Sequence, residues 1–446
     1  MALSGLQKAG WGLADMGIVI FVIIKQLLVL AFLTSVLGVP VALAGAITTG
    51  ILIFDIITDP LVGYMSDRIP TRWGRRAPWM VSGAIVMTLG CIGLFSVTVT
   101  GLTGAIWVSV WFVLATIGFT MIVIPYGATA GEMTHDPHER SAMTGWRMGF
   151  ASVGILVGGA LIPGLAQGMG YAGAMLAAAP LMLLPIWISV WLTRKAPRIE
   201  QPSDLGLFAS LKLVLSNPAF VTLVILYGVM TLAVATITAG LPFLALYLVN
   251  DTGGTAFSGA AQALSMLSLL FAAFVIGAIL SQVFWVMISA RLGKLGALVL
   301  GLCLYIVLLF AMYSVLPSTS ATVMFGMFVL AGMSNGAYQQ IPWAMFPDLM
   351  DVTRAQSGAA IEGAFSAVWI FGQKVANAFA PLLLGLILSA YGWQETTQGV
   401  IEQSEGALAA LRSSITLIPA GIVAVSIVGL LAVYRPRARA LLGANR

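Results

Sequence analysis

The sequence predicts an all-α membrane protein of twelve transmembrane helices in two six-helix bundles. Three observations carry this expectation. Of the 446 residues, 60% are hydrophobic and only 8% are charged, whereas a soluble domain carries about 25% charged residues. Mean hydropathy is +1.01. Apolar runs of about 20 residues, enough to cross the hydrocarbon core, recur along the chain, and Lys and Arg gather in alternate connections between them.

Taken in order, the spans are predicted near 11–36, 41–66, 79–99, 105–131, 142–166, 171–193, 219–249, 258–290, 295–315, 320–347, 358–391 and 408–434. Residues 1–10 read as a short tail. The first apolar run is too long for a cleavable signal peptide and lacks a small-residue cleavage site after it.

The basic residues orient the spans. Loop 2–3 holds Arg68, Arg72, Arg75 and Arg76, and loop 4–5 holds Arg140, with Arg147 at its helix end. Loop 6–7 holds Arg194, Lys195, Arg198 and Lys212. Loop 8–9 has Arg291 and Lys294, loop 10–11 has Arg354, and the tail has Arg435, Arg437 and Arg439. Opposite connections are nearly free of positive charge, Arg412 excepted, and 391–407 carries Glu395, Glu402 and Glu405. The expectation is a plasma (inner) membrane protein, multi-pass, with both termini cytoplasmic. The net charge of +5 is therefore topological, and no nucleic acid partner is expected.

The longest cytoplasmic connection contains Pro197, Pro202 and Pro218 and a short amphipathic piece around 205–215. It divides the chain into an N-terminal bundle (1–193), a linker (194–218) and a C-terminal bundle with a basic tail (219–446). The halves echo each other: GYMSDR…GRR precedes the third helix of the first, ISARLGK that of the second, with Arg68 matching Arg291. Parallel repeats of this kind mark transporters.

The chemistry concentrates in FDIITDPLVGYMSDRIPTRWGRRAPWM, Phe54 to Met80. Asp55 and Asp59 lie four apart in an apolar helix, hence on one face. A carboxylate in hydrocarbon costs roughly 2.5–3.5 kcal/mol on insertion scales, so two of them call for a partner. They can converge on one cation or carry a proton. Pro60, directly after Asp59, opens backbone there. Lys374 sits mid-span in helix 11 and is expected to pair with Asp55 or Asp59 until a cation displaces it, which gives a coupling device. Lys25 is roughly fourteen residues, about 21 Å, into helix 1; it reads as a pocket residue or as a snorkelling side chain. Arg147 reads as a pocket residue or as a helix-start charge. Cys91 and Cys303 lie in apolar runs as small core residues. His135 and His138 read as a solvated turn rather than a metal site. No P-loop pattern and no hydrolytic triad is present, so transport is secondary, the chain is not an enzyme, and no cofactor is expected.

The loop pattern Gly63-x-x-x-Asp67-Arg68 with Gly74-Arg75-Arg76 resembles that of the major facilitator superfamily. Asp67, Arg68, Arg75 and Arg76 would form a cytoplasmic latch of charge pairs, or the arginines would only enforce topology. The Phe54–Met80 stretch further resembles the helix 2 signature of the glycoside–pentoside–hexuronide:cation symporter family. PDLMDVTRAQSGAAIEGAFSAVWIFGQK, Pro347 to Lys374, resembles its helix 10–11 segment, with Asp348, Asp351, Glu362, Gln373 and Lys374 in register. IVIPYGA followed by ERSAMTGWRMGFAS is a weaker match.

The resemblance implies a Na+ or H+ site from Asp55 and Asp59, with Thr58 adding a hydroxyl and Thr120 of helix 4 reaching across. It also implies a midplane sugar pocket, for which Lys25, Arg147, Trp369, Gln373 and Lys374 are the candidates. Tyr338, Gln339, Gln340 and Trp343 could complete the pocket. The chain departs from the family where helix 4 has an acid before Ile-Pro: here it is Val123, followed by Gly127 where an aromatic is usual, beside Tyr126. Asp15 sits nearer the cytoplasmic end of helix 1 than the sugar-contacting level. An acid lost and a lysine gained shift the pocket positive, which suits a hexuronide or a sulfonated sugar. The expected function is cation-coupled import of such a sugar by a monomer among membrane lipids. A cation-coupled lysolipid or lipid transporter is the alternative; a membrane assembly factor has no use for a buried ion site, and a drug exporter lacks these signatures.

Overall fold

In the computed structural model, residues 3–68, 71, 73–134, 136–197, 207–357, 362–397 and 400–443 are described. Secondary structure among them is helical, apart from one isolated bridge, Val249–Ser318.

α1 (Gly5–Leu27) starts earlier than hydropathy suggests, because Ser4 and Gln7 form a reciprocal capping box. After a break at Leu28, α2 (Val29–Ser35) completes the first span. Gly38 turns the chain at φ +65°, and α3 (Val41–Arg68) follows with Pro60 inside it. Pro60 has no N–H to donate, which frees the Ile56 carbonyl beside Asp55 and Asp59. α4 (Ala77–Phe95) opens with Pro78 in its first turn, and α5 (Gly101–Met133) contains Pro125. α6 (Pro137–Leu156) passes through a π-helical turn, Val157–Leu161, into α7 (Ile162–Thr193). At Gly170 (φ +72°) α7 breaks, which separates the fifth and sixth spans.

α8 (Leu207–Leu215) is the short amphipathic piece, and Asn217 caps α9 (Pro218–Tyr247). α10 (Ser258–Leu264) and α11 (Met266–Leu280) meet at a 111° bend. α12 (Gln282–Val315) turns at Gly293 (φ +75°). α13 (Ala321–Ser357), α14 (Glu362–Ala390), α15 (Glu405–Ile415), α16 (Leu417–Gly429) and α17 (Arg435–Gly443) complete the chain. Among the described residues nine helices are long and apolar enough to cross a membrane, or ten with the bent α10–α11 pair as one span; division of α6–α7 at Gly170 and inclusion of α13 give the twelve spans that the sequence predicts.

Leu102, Ile106 and Val110, at i, i+4 and i+8 of α5, are 67%, 59% and 63% exposed. Such an apolar stripe left open on a helix fits hydrocarbon as its solvent. The chain is a multi-pass membrane protein.

The chain forms two compact units. The first comprises Met1–Gln201, Ala260–Leu269 and Gln394–Glu402; the second comprises Pro202–Gly259, Leu270–Trp393 and Gln403–Arg446. Inside the first, Glu395 caps α3 by accepting from the Val41 N–H at 2.7 Å. The units repeat one device. In the first, Arg76 at the start of α4 meets Glu132 near the end of α5, Nη2 to Oε1 2.7 Å. In the second, Lys294 meets Asp348, Nζ to Oδ2 2.6 Å. The repeat therefore includes an acid in both copies, which the comparison of Arg68 with Arg291 misses.

Small residues set the helix spacing that matters for function. A Cβ built on Gly12 of α1 would lie 2.6 Å from the Arg147 amide nitrogen of α6, and one on Gly154 of α6 would lie 2.6 Å from the Met16 carbonyl. α1 and α6 are thus in backbone contact around Asp15, the close approach that small residues allow in membranes.

Candidate functional site

Two polar clusters lie in the apolar interior of the first unit. The first is centred on Asp55 of α3, whose side chain is 2% exposed. Its Oδ1 accepts a hydrogen bond from Thr120 Oγ1 of α5 at 2.8 Å. Its Oδ2 lies 3.5 Å from Nζ of Lys25, a side chain only 7% exposed. The ammonium also sits 4.2 Å from the Phe119 ring centroid and 5.5 Å from that of Phe21, where cation–π attraction replaces part of its lost hydration. A buried carboxylate is tolerable here because a charge and a hydroxyl both meet it. Thr58 turns its hydroxyl proton back to the Phe54 and Asp55 carbonyls, at 3.0 and 3.1 Å, so only its lone pairs face outward. Asp59 is half-buried one turn on.

Lys25 is therefore an ion-pair partner of Asp55, a pairing that the sequence reading, which expects Lys374 at Asp55 or Asp59, does not foresee. The reason is tertiary: α1 and α3 both pack against α5, which brings together two residues 30 positions apart in the chain. Lys374 is half-buried on α14 in the second unit.

The second cluster is built where Gly12 and Gly154 let α1 and α6 touch. Arg147 Nε donates to Asp15 Oδ2 at 3.0 Å; Asp15 is 5% exposed and Arg147 41%. The guanidinium lies 5.8 Å from the Tyr126 ring, which stacks on Trp11 with centroids 4.8 Å apart. Trp11 Nε1 donates to Thr129 Oγ1 at 3.1 Å. The Tyr126 hydroxyl is buried with no hydrogen-bond partner among the described residues. Carboxylate, guanidinium, aromatic faces and an unpaired hydroxyl together make a polar cradle with one reachable charge.

Asp15, Trp11 and Tyr126 are thus brought to Arg147, although the sequence set Asp15 aside as too near the cytoplasmic end. The available signal was its charge inside an apolar span. Arg147 is met by Asp15 and Lys25 by Asp55, so each of these two expected pocket cations has a carboxylate partner in this conformation.

In the second unit Trp369 is fully buried. It lies near-parallel to Tyr227 and Phe346, centroids 4.4 and 5.1 Å away, an arrangement of packing rather than of a ring offered to a sugar. Gln373 Nε2 and Trp343 Nε1 both donate to the Tyr227 hydroxyl, at 3.4 and 3.1 Å. Tyr338 is held by Thr231, oxygen to oxygen 2.8 Å. Tyr227, in α9, was not singled out from the sequence, because a lone tyrosine in an apolar span usually reads as packing.

The side chains of Asp67 and Arg68 in the expected latch lie outside the described residues, as do Arg72 and His135 and the side chain of His138. Arg75 is exposed, and Arg76 has turned to Glu132. Nearby, Glu139 (8% exposed) ties the N-terminal segment down: it accepts from Thr134 Oγ1 at 2.6 Å and the Leu3 N–H at 2.7 Å, and Lys8 Nζ lies 3.2 Å away. The Thr134 hydrogen bond above all holds its carboxyl below the ordinary value; the Leu3 and Lys8 contacts act in the same direction, and burial opposes them. Among the described residues, no group of three or more His, Cys, Asp or Glu side chains could hold a metal ion.

Comparison with known proteins gives the setting for this geometry. The family described as MFS/sugar transport protein matches residues 10–435. An inner membrane symporter of Escherichia coli (strain K12) is 23% identical over 94% of this chain and 89% of its own length. A putative sulfoquinovose importer of Salmonella typhimurium is 26% identical, covering 95% of this chain and 88% of its own. Among solved structures, a bacterial homolog of the human lysosomal transporter Spinster, inward-facing and unoccupied, superposes with a TM-score of 0.64 at 16% identity. It covers 98% of this chain and 96% of its own, and it shares the fold.

Proposed function

The chain belongs to the MFS/sugar transport protein family, and we propose that it is a cation-coupled symporter that brings an acidic sugar inward by alternating access. It is a transporter of small molecules and not an enzyme. The coupling site is Asp55 and Asp59 with Thr58 and Thr120; the coupling ion is Na+ or H+. Arg147 and Lys25 are the proposed substrate contacts of the first unit; in the second unit Gln373 and Lys374 are candidates on the family resemblance alone, and Trp369 is packing in this conformation. Asp67, Arg68, Arg75 and Arg76 form the cytoplasmic latch, and both termini are cytoplasmic in an inner membrane.

The observation that carries this reading is the Asp15–Arg147–Tyr126 cradle. A sugar offers hydroxyls that can donate to Asp15 and accept from Arg147 and Tyr126. A carboxylate or sulfonate on the sugar can take the guanidinium over from Asp15 through two parallel hydrogen bonds. The putative sulfoquinovose importer among the relatives supports an anionic sugar as substrate. The anion must compete with a carboxylate already in place, which favours a strongly held, planar or tetrahedral oxyanion over a neutral glycoside.

Competition of uptake by glucuronate, a sulfonated hexose and neutral galactosides, in proteoliposomes holding the full chain, tests the reading. Preference for the acidic sugars is expected. Preference for a neutral sugar would end the acidic reading, and failure of any ion gradient to drive accumulation would end the symporter.

A further inference from the structure

We infer that Lys25 is the chain's own cation at Asp55, that it excludes Na+ from this carboxylate, and that the ion left to drive the cycle is the proton. This deepens the symporter reading above and rests on it for the word "drive"; the exclusion of Na+ stands on the geometry alone.

A hard cation such as Na+ needs a cage of oxygen lone pairs. At Asp55 that cage is already spoken for. Oδ1 holds the Thr120 hydroxyl at 2.8 Å, and Oδ2 faces the Lys25 ammonium at 3.5 Å. The rings of Phe119 and Phe21 also face the ammonium, and such faces suit an alkylammonium better than a metal ion. Na+ would therefore have to displace a cation attached to the protein, which never leaves the site by diffusion. Its effective concentration opposes Na+ at every bulk concentration.

A proton needs no cage. Bound at Oδ2 it neutralises Asp55, breaks this ion pair and releases the charged Lys25 ammonium from that carboxylate. That ammonium can then be satisfied by the anionic group of a substrate. When the substrate leaves, the Lys25–Asp55 pair re-forms and the proton departs. One proton is bound and one released per cycle, and no other species is consumed.

The charged and titratable groups around this pair are few. On α3 they are Asp55 and Asp59. Asp15 of α1, Tyr126 of α5 and Arg147 of α6 form the other cluster. It is centred ten residues, about 15 Å, along α1. Tyr171 of α7 packs on Phe32 and Phe95, and Cys91 of α4 is buried.

The test uses the full chain in detergent, titrated with NaCl against choline chloride at fixed ionic strength, with the unfolding midpoint as readout. The wild type is expected to respond to both salts alike. Lys25→Gln, which opens Oδ2, is expected to gain a Na+-specific rise of about 2–4 °C that Lys25→Gln/Asp55→Asn lacks. A Na+-specific rise in the wild type overturns the inference, as does a folded Lys25→Gln that ignores Na+. Should Lys25→Gln fail to fold, the wild-type titration decides alone.

A second arm uses proteoliposomes with glucuronate as the probe. Accumulation driven by a pH gradient is expected, and accumulation driven by a Na+ gradient overturns the proton as coupling ion. Accumulation under neither gradient sinks the symporter reading instead, while the salt titration still decides the occupancy of Asp55 by Lys25.

Discussion

Gly12→Ala tests whether the α1–α6 approach builds the sugar cradle. The added Cβ would stand 2.6 Å from the Arg147 amide nitrogen, about 0.8 Å inside the 3.4 Å where ordinary contact begins. Neither backbone can yield locally, so the helices must part by roughly that amount where Asp15, one turn on, meets Arg147. Moving the 3.0 Å Asp15–Arg147 hydrogen bond out by this much takes it beyond bonding distance. A hydrogen bond to a charged group is worth about 1.5–3 kcal/mol; a glucuronate that no longer has to displace Asp15 should therefore bind about ten- to a hundredfold more tightly. Overpacking itself should destabilise the fold by about 1–3 kcal/mol. The control is Gly149→Ala on α6, where a Cβ meets nothing within 4 Å. Binding of glucuronate by titration calorimetry, with thermal unfolding in parallel, separates the two effects. Equal affinity in Gly12→Ala and wild type would refute the claim that this contact positions the cradle.

Three further outcomes are expected. Thr120→Val removes the donor to Asp55 Oδ1 and should destabilise the protein by about 1–3 kcal/mol in detergent unfolding, while Thr58→Val, whose hydroxyl donates only to its own helix, should do less. A double-mutant cycle on Arg76 and Glu132, 14% and 18% exposed, should give a coupling above the ~0.2–1 kcal/mol of exposed pairs; a coupling near zero would remove it as a helix-end clamp. Because the folded-state value of Glu139 is lowered from 4.5, its hold on the N-terminal segment is complete above that value and lost as pH falls through the lower folded-state one. Hydrogen exchange of residues 3–10 should accelerate below that point, and Glu139→Gln should exchange fast at neutral pH; identical protection in both proteins would count against the tether.

Composition and charge pattern alone determined a great deal here. Sixty per cent hydrophobic residues in spans of helical length leave helices as the structure that satisfies every backbone group in lipid. The i, i+4 spacing put Asp55 and Asp59 on one face, because that relation is local to one helix. The turns at Gly170 and Gly293 fell where the apolar runs paused. Which charge answers which was not local. Lys25 and Asp55, Asp15 and Arg147, and Arg76 and Glu132 sit on different helices, and their pairing depends on how closely backbones approach and at what register. Glycines such as Gly12 and Gly154 set that distance, yet in the sequence they look like any other small residue in an apolar run. Burial likewise separated Trp369, sealed among aromatics, from Arg147, still open on one side, since a helix's inward face is chosen by its neighbours and not by its own residues.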